Sequence, residues 1–237
     1  MILDNFPKVL WINLEKSIDR RKYMEELLNG YGIQHTRIRA INGLDWRDPE
    51  LKTFCFKNRM ISSAENACTC SHFKALQYFV DNITDDKIII FEDDVSFEFL
   101  KYIPYNWSEF EINLPKNYNV VQLAISTTKV VTPNLVKTNP ENNYYCTCAY
   151  LITKSAAKQI LSNYYLKSYS KFDLSRAVWA TADTALYSLP NTYSIPIFTY
   201  CAKDSTIHSR HLNAHIDSKQ QQLNMWTKIN TEKLMTI

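Results

Sequence analysis

Lys87-Ile88-Ile89-Ile90-Phe91-Glu92-Asp93-Asp94-Val95 is the stretch that decides the fold. Bulky apolar side chains, most of them β-branched, run directly into consecutive carboxylates. A continuous apolar run of this length reads as a strand buried on both faces, as in the middle of a mostly parallel sheet. In open α/β sheets the ligand crevice lies outside the carboxyl ends of the strands, so the acids fall where ligands bind. Clustered negative charges at a semi-buried strand end repel one another unless a cation joins them. A hard divalent cation held by carboxylate oxygens, with substrate phosphates completing its shell, meets that need. A solvated acidic turn after a core strand is the alternative.

The flanking segments extend the strand into a sheet. Upstream, Lys8 to Leu14 reads as a first strand. Ser17 suits an N-cap, and Asp19 to Leu28 is an amphipathic helix with Tyr23, Met24, Leu27 and Leu28 on one face. Gly30 and Gly32 stop it. A second strand from Thr36 to Ile41 ends in the turn Asn42-Gly43. Ser63 to Val80 is a second helix, with Phe73, Leu76, Phe79 and Val80 at helical spacing. This β-α-β-α-β order predicts a parallel sheet with right-handed crossovers.

Downstream, Val120 to Ile125 is a strand, and Tyr144 to Thr153 is another, with Cys146, Cys148 and Tyr150 alternating against Tyr145, Thr147 and Ala149. Lys154 to Tyr165 is a helix with Ala157, Ile160 and Leu161 inward. Ala182 to Leu189 is a short helix stopped by Pro190. Ser194 to Thr199 carries Pro196, which predicts an edge or terminal strand. With no linker, repeat or low-complexity stretch, residues 1–216 are expected to form a single domain, and 217–237 a polar, Gln-rich C-terminal tail or helix.

Composition narrows the function. The 237 residues are 46% hydrophobic and 22% charged, ordinary for a globular protein with a sizeable core. A net charge of +3, without basic runs interleaved with aromatics, argues against nucleic acid or an anionic membrane surface as partner. No apolar run approaches the roughly 18 residues of a spanning helix. The segment Met1 to Pro7 lacks a signal-peptide layout, and the expected location is cytoplasmic.

The only glycines are Gly30, Gly32 and Gly43. Glycine-rich phosphate cradles of the P-loop or dinucleotide type are thereby excluded. A nucleotide bound here must have its phosphates neutralised by a metal and by side chains. The six cysteines include the C-x-C pairs Cys68/Cys70 and Cys146/Cys148, plus Cys55 and Cys201. Neither pair has the C-x2-4-C spacing of structural zinc sites, so reduced and mostly buried thiols are expected, with a disulfide or adventitious metal as alternatives. The sequons at Asn82 and Asn106 carry no weight without a secretory signal.

Several segments together resemble glycosyltransferase family 25, which contains bacterial lipooligosaccharide galactosyltransferases, the collagen β-galactosyltransferases and virus-encoded relatives. They are Ile12-Asn13-Leu14 followed by Asp19-Arg20-Arg21, Arg39-Ala40-Ile41-Asn42-Gly43, and Glu65, Cys68 and Ser71-His72. The acidic stretch Phe91 to Val95 and the strand-helix Ala149 to Ala157 complete the set, in one order across residues 8–215. This chain departs from the family in having Ala67 and Tyr145-Cys146-Thr147-Cys148 where glycines are usual, and it echoes a later aspartate segment only loosely at Ala182-Asp183-Thr184.

The resemblance implies a GT-A-type nucleotide-diphospho-sugar transferase fold, α/β with a mostly parallel central sheet flanked by helices. It implies Mn2+ or Mg2+ as cofactor and a UDP-sugar donor, galactose ahead of glucose. The acceptor would be an oligosaccharide, a lipid-linked glycan or a collagen-like hydroxylysine. Asp94 and Glu92 are then expected to hold the metal, joined by a histidine from the C-terminal region, His208 first and His211 or His215 as alternatives. Glu92 would also face ribose or sugar, with Ile12, Asn13, Leu14, Arg20, Asn42 and His72 as further donor-site residues. Asp183 is the expected general base of an inverting transfer, and Asp93 a contact to sugar or acceptor. A helix-capping role for Asp183, a core role for His72 and solvated arginines at Arg20 and Arg21 are the competing readings. A related domain that binds sugar or a partner without catalysis is the alternative function, and a Mg2+-dependent phosphotransferase a more distant one.

Overall fold

The computed structural model describes residues 3–44, 49–138, 144–201 and 212–235. The first half runs β1 (Val9–Asn13), α1 (Ile18–Gly30), β2 (His35–Arg39), α2 (Glu50–Phe54), β3 (Cys55–Phe56), α3 (Ser63–Asn82), β4 (Lys87–Glu92) and β5 (Val95–Ser96). After a short α4 (Trp107–Ile112) come β6 (Val120–Gln122), β7 (Val136–Lys137), β8 (Ala149–Thr153) and α5 (Lys154–Tyr164). The chain then continues through β9 (Tyr165–Leu166), β10 (Lys171–Asp173), α6 (Ala182–Leu186), β11 (Thr192–Ser194), β12 (Thr199–Tyr200) and α7 (Leu212–Met235).

The main sheet has the order β2-β1-β4-β8-β6-β11-β7. β1, β2, β4, β6 and β11 point the same way, while β8 and β7 run against them, so the sheet is mainly parallel. β4 lies between β1 and β8, as its apolar run requires, and Ile88, Ile89, Ile90 and Phe91 are fully buried. Full burial of such a side chain contributes about 1.5–3 kcal/mol. Alternation along the strands builds two cores. Leu10, Ile12, Ile88 and Ile90 face α3 and α5, whereas Val9, Trp11, Ile89 and Phe91 pack with Met24, Leu28, Trp107 and Trp226 on the other face.

Three strand boundaries depart from the sequence reading. The segment 144–153 is continuous strand only from Ala149, because Cys146 sits at φ 98°, outside extended geometry, leaving only a bridge between Ser126 and Tyr145 before it. β6 stops at Gln122 because the N–H groups of Leu123 and Ala124 both donate to Ala149 O, a bulge-like doubling that breaks the ladder. The strand sought at Ser194–Thr199 is instead Thr192–Ser194, paired on both sides. The edge belongs to β7, and Pro196 follows the paired stretch. The three-stranded sheet β3-β10-β9 was not anticipated. Among the described residues, no helix is long and apolar enough to cross a membrane.

Candidate active site

At the carboxyl ends of β1 and β4 opens a cavity of about 730 Å³. The parallel register sets Ile12 of β1 beside Glu92 of β4, and the next residues, Asn13 and Asp93, meet directly. Every described residue proposed from sequence lines this one cavity: Ile12, Asn13, Leu14, Arg20, Asn42, His72, Glu92, Asp93, Asp94 and Asp183. His208 and His211 fall outside the described residues. His215 of α7 lines the cavity, and its backbone oxygen accepts the Tyr200 hydroxyl at 3.0 Å.

Asp93 is held on both oxygens. Asn13 Nδ2 donates to Oδ2 at 2.7 Å and Arg20 Nη1 to Oδ1 at 2.8 Å. Asn13 is itself fixed, because its Oδ1 accepts Arg37 Nε at 2.9 Å and its Nδ2 also reaches Ser17 O. Burial raises the Asp93 carboxyl despite Arg20 and Asn13, which pull the other way. Burial also pushes Glu92 up, but hydrogen bonds and charge from His72, then Thr147 and Arg20, outweigh it and hold Glu92 below its ordinary value. His72 Nε2 lies 3.2 Å from Glu92 Oε1, and the Thr147 hydroxyl donates to the same oxygen at 2.5 Å.

Asp94 differs from its neighbours. Its Oδ1 is buried with no hydrogen-bond partner among the described residues. Burial first, then the charges of Glu92 and Asp93, raise its carboxyl to about 7. A buried, unpartnered carboxylate oxygen is costly by itself, and a cation satisfies it. The oxygen-rich set suits a hard divalent ion such as Mn2+ or Mg2+. Asp183 enters from the first turn of α6, whose N-cap is Thr181. The Cys146 amide N–H donates to Asp183 Oδ1 at 2.5 Å, and burial raises this carboxyl to about 6.

One stripe of α3 supplies Ala64, Glu65, Cys68, Ser71 and His72 to the wall, while Cys70, Phe73, Leu76 and Phe79 fill the core behind. A capping box of Ser62 and Glu65 fixes where the helix starts. Ile41 N–H donates to Ser71 Oγ at 2.9 Å, tying the 40–44 turn to the helix. Gly43 is required at that turn, since a Cβ there would lie 2.1 Å from Ser63 O.

Sequence reasoning assigned no role to Thr147, Tyr145, Tyr200 or the Ser126–Thr128 segment, all of which line the cavity. Thr147 was legible as the polar partner in an alternating strand. Its approach to Glu92 depends on the left-handed Cys146 next to it, which no local pattern announces.

The mainly parallel, helix-flanked sheet with carboxylates rimming a strand-end cavity has the form expected of a GT-A-type fold, and the family match makes the class a glycosyltransferase. The family model described as "Glycosyltransferase family 25 (LPS biosynthesis protein)" matches residues 6–174. The chain belongs to glycosyltransferase family 25. No curated protein matches it in sequence.

Among solved structures, it is similar to a glycosyltransferase involved in glycosylating the major capsid of PBCV-1, at 11% identity and a TM-score of 0.47, covering 90% of this chain and 98% of that one. It is similar to the glycosyltransferase GlyE of Streptococcus pneumoniae at 9% identity and a TM-score of 0.40, covering 97% and 63%. A mutant Drosophila β-1,4-galactosyltransferase 7 in complex with manganese, UDP-Gal and xylobiose aligns at 12% identity and a TM-score of 0.33, covering 65% and 51%.

Proposed function

We propose that this glycosyltransferase is a metal-dependent, inverting hexosyltransferase that moves a sugar, galactose ahead of glucose, from a UDP-sugar to an acceptor hydroxyl. The acceptor class is an oligosaccharide, a lipid-linked glycan or a collagen-like hydroxylysine, in keeping with a family described by LPS biosynthesis. The observation that carries the reading is Asp94 Oδ1, buried and unpartnered in a cavity that also receives Glu92 and Asp93. Asp94 and Glu92 would hold Mn2+ or Mg2+, with His208 the first choice to complete the set. Such an ion supplies Lewis-acid stabilisation of the charge that develops on the departing diphosphate.

The protein's own groups divide the remaining work. Arg20, anchored on Asp93, presents a fixed positive charge beside the acids, suited to a phosphate oxygen. Ile12, Leu14 and Asn42 shape the wall for the nucleoside, and His72 keeps Glu92 ionised and oriented toward ribose or sugar. Asp183 takes the proton of the acceptor hydroxyl. Its raised carboxyl brings it closer to neutrality than an ordinary aspartate, which favours a general base, and the Cys146 amide fixes its direction. Asp93, with both oxygens engaged, contacts sugar or acceptor only while keeping Asn13 and Arg20 in place. We further assign residues 1–216 to one transferase domain, with the C-terminal segment from 217 joined to it through α7, whose Trp226 is buried in the second core.

A screen of UDP-hexose hydrolysis with and without Mn2+ tests the reading. Metal-dependent turnover of one UDP-hexose, lost in Asp94→Asn, is the expected result. Turnover that ignores metal removal would contradict it.

A further inference from the structure

Among the described residues, one group combines sulfur, nitrogen and oxygen donors: Cys68 Sγ, an imidazole nitrogen of His72 and a carboxylate oxygen of Glu92 lie within 4.8 Å of one another. We infer that these residues form a binding site for a thiophilic divalent cation, Zn2+ above all, distinct in donor chemistry from the oxygen-rich set at Asp94. Cysteine spacing alone hid it, because the ligands are a Cys-x3-His pair on α3 and an acid from β4. Residues four apart share a helix face, so Cys68 and His72 aim at one point without any backbone change.

The surroundings are those of a built site. His72 is buried, its Nδ1 lies 3.1 Å from the Tyr150 hydroxyl, and its Nε2 faces Glu92. A partner on the other ring nitrogen that fixes tautomer and ring direction is the usual support for a ligating histidine. The Thr147 hydroxyl holds Glu92 Oε1 in the same way. Cys68 is half-buried and faces the cavity, so an ion has an entry path and a fourth position open to water. Thiolate and imidazole favour Zn2+ over Mn2+ or Mg2+. Binding displaces the Cys68 thiol proton to solvent and forms the Zn–S bond, with no change of oxidation state.

Glu92 belongs to both donor sets. Resting on the proposed function, a Zn2+ that draws Glu92 toward Cys68 and His72 competes for this carboxylate with the Mn2+ at Asp94.

Titration of the full-length protein with Co2+ tests the site, read by the thiolate-to-cobalt charge-transfer band and its reversal by Zn2+. One equivalent of Co2+ with one such band is expected. Cys68→Ser should abolish the band and weaken Zn2+ binding on the order of 100-fold or more, while Asp94→Asn retains it. Zinc-edge X-ray absorption of the unaltered protein guards against a misfolded variant. It should show one sulfur at about 2.3 Å with nitrogen or oxygen ligands. No band, a band that survives Cys68→Ser or disappears in Asp94→Asn, or a shell with no sulfur or several would overturn the inference. Absence of the band beside intact Mn2+-dependent UDP binding contradicts this site alone. The converse result contradicts the proposed function instead.

Discussion

Asp94 is under opposing demands. Without a cation, its buried carboxylate faces Glu92 and Asp93 and leaves Oδ1 unpartnered. Its folded-state carboxyl, near 7, stands above the ordinary 3.8, so the unfolded chain releases this proton more readily. The resulting cost to stability is absent below the unfolded value, grows between the two and is fully present above about 7. In EDTA at pH 8, Asp94→Asn should therefore stabilise the apoprotein by about 1–3 kcal/mol, a gain that shrinks toward pH 4 in denaturant melts. Cys146 is the second residue under constraint, a β-carbon at φ 98° pinned by Asp183, Tyr187 and Gln122. Replacement by glycine should be tolerated. A β-branched valine there should cost about 2 kcal/mol or more in urea unfolding. The acid cluster was legible because chemistry and position coincide in one run of sequence. The strained residue was not, because its cause lies in partners far along the chain.

At the scale of elements, the site depends on where α3 begins and how closely the 40–44 turn approaches it. Ser62→Ala removes half of a capping box and should lower stability by about 1 kcal/mol by chemical denaturation. Gly43→Ala brings a β-carbon against Ser63 O, so either the turn or the first turn of α3 must move. We expect a loss of about 2 kcal/mol or more, accompanied by weaker UDP binding. β4 ends where its apolar run gives way to acids, and that junction was readable from side chains alone. The start of β8, the end of β6 and the pairing of β11 were not, because a bulge at Ala149 and the cross-strand partners of Thr192–Ser194 set them. α2 and β3 are too short for periodicity to register.

At the scale of the molecule, the sheet divides two cores, and α7 closes the one opposite α3. Trp226 is buried and donates from Nε1 to Pro196 O at 2.8 Å, while Gln222 Nε2 reaches Ile125 O and Ser218 Oγ accepts Thr127 N–H. Trp226→Ala should cost about 3–5 kcal/mol, measured as a shift in the urea midpoint at unchanged slope. The polar composition of the C-terminal stretch concealed this helix's buried face, since Ser218 and Gln222 are buried beside Trp226 while Leu223, Met225 and Ile229 are only partly covered. The cavity wall, by contrast, was readable in pieces, and the parallel register then brought β1, β4, α1 and α3 to one place. What sequence could not supply was the distance between those pieces.

Calorimetric titration of UDP into the wild-type protein, first with Mn2+ and then with EDTA, most directly addresses the claim that the strand-end acids act through a cation. Binding that requires the metal and vanishes in Asp94→Asn, with the variant's melting temperature equal to or above wild type, is the predicted result. UDP affinity unchanged by EDTA or by loss of the Asp94 charge would contradict it.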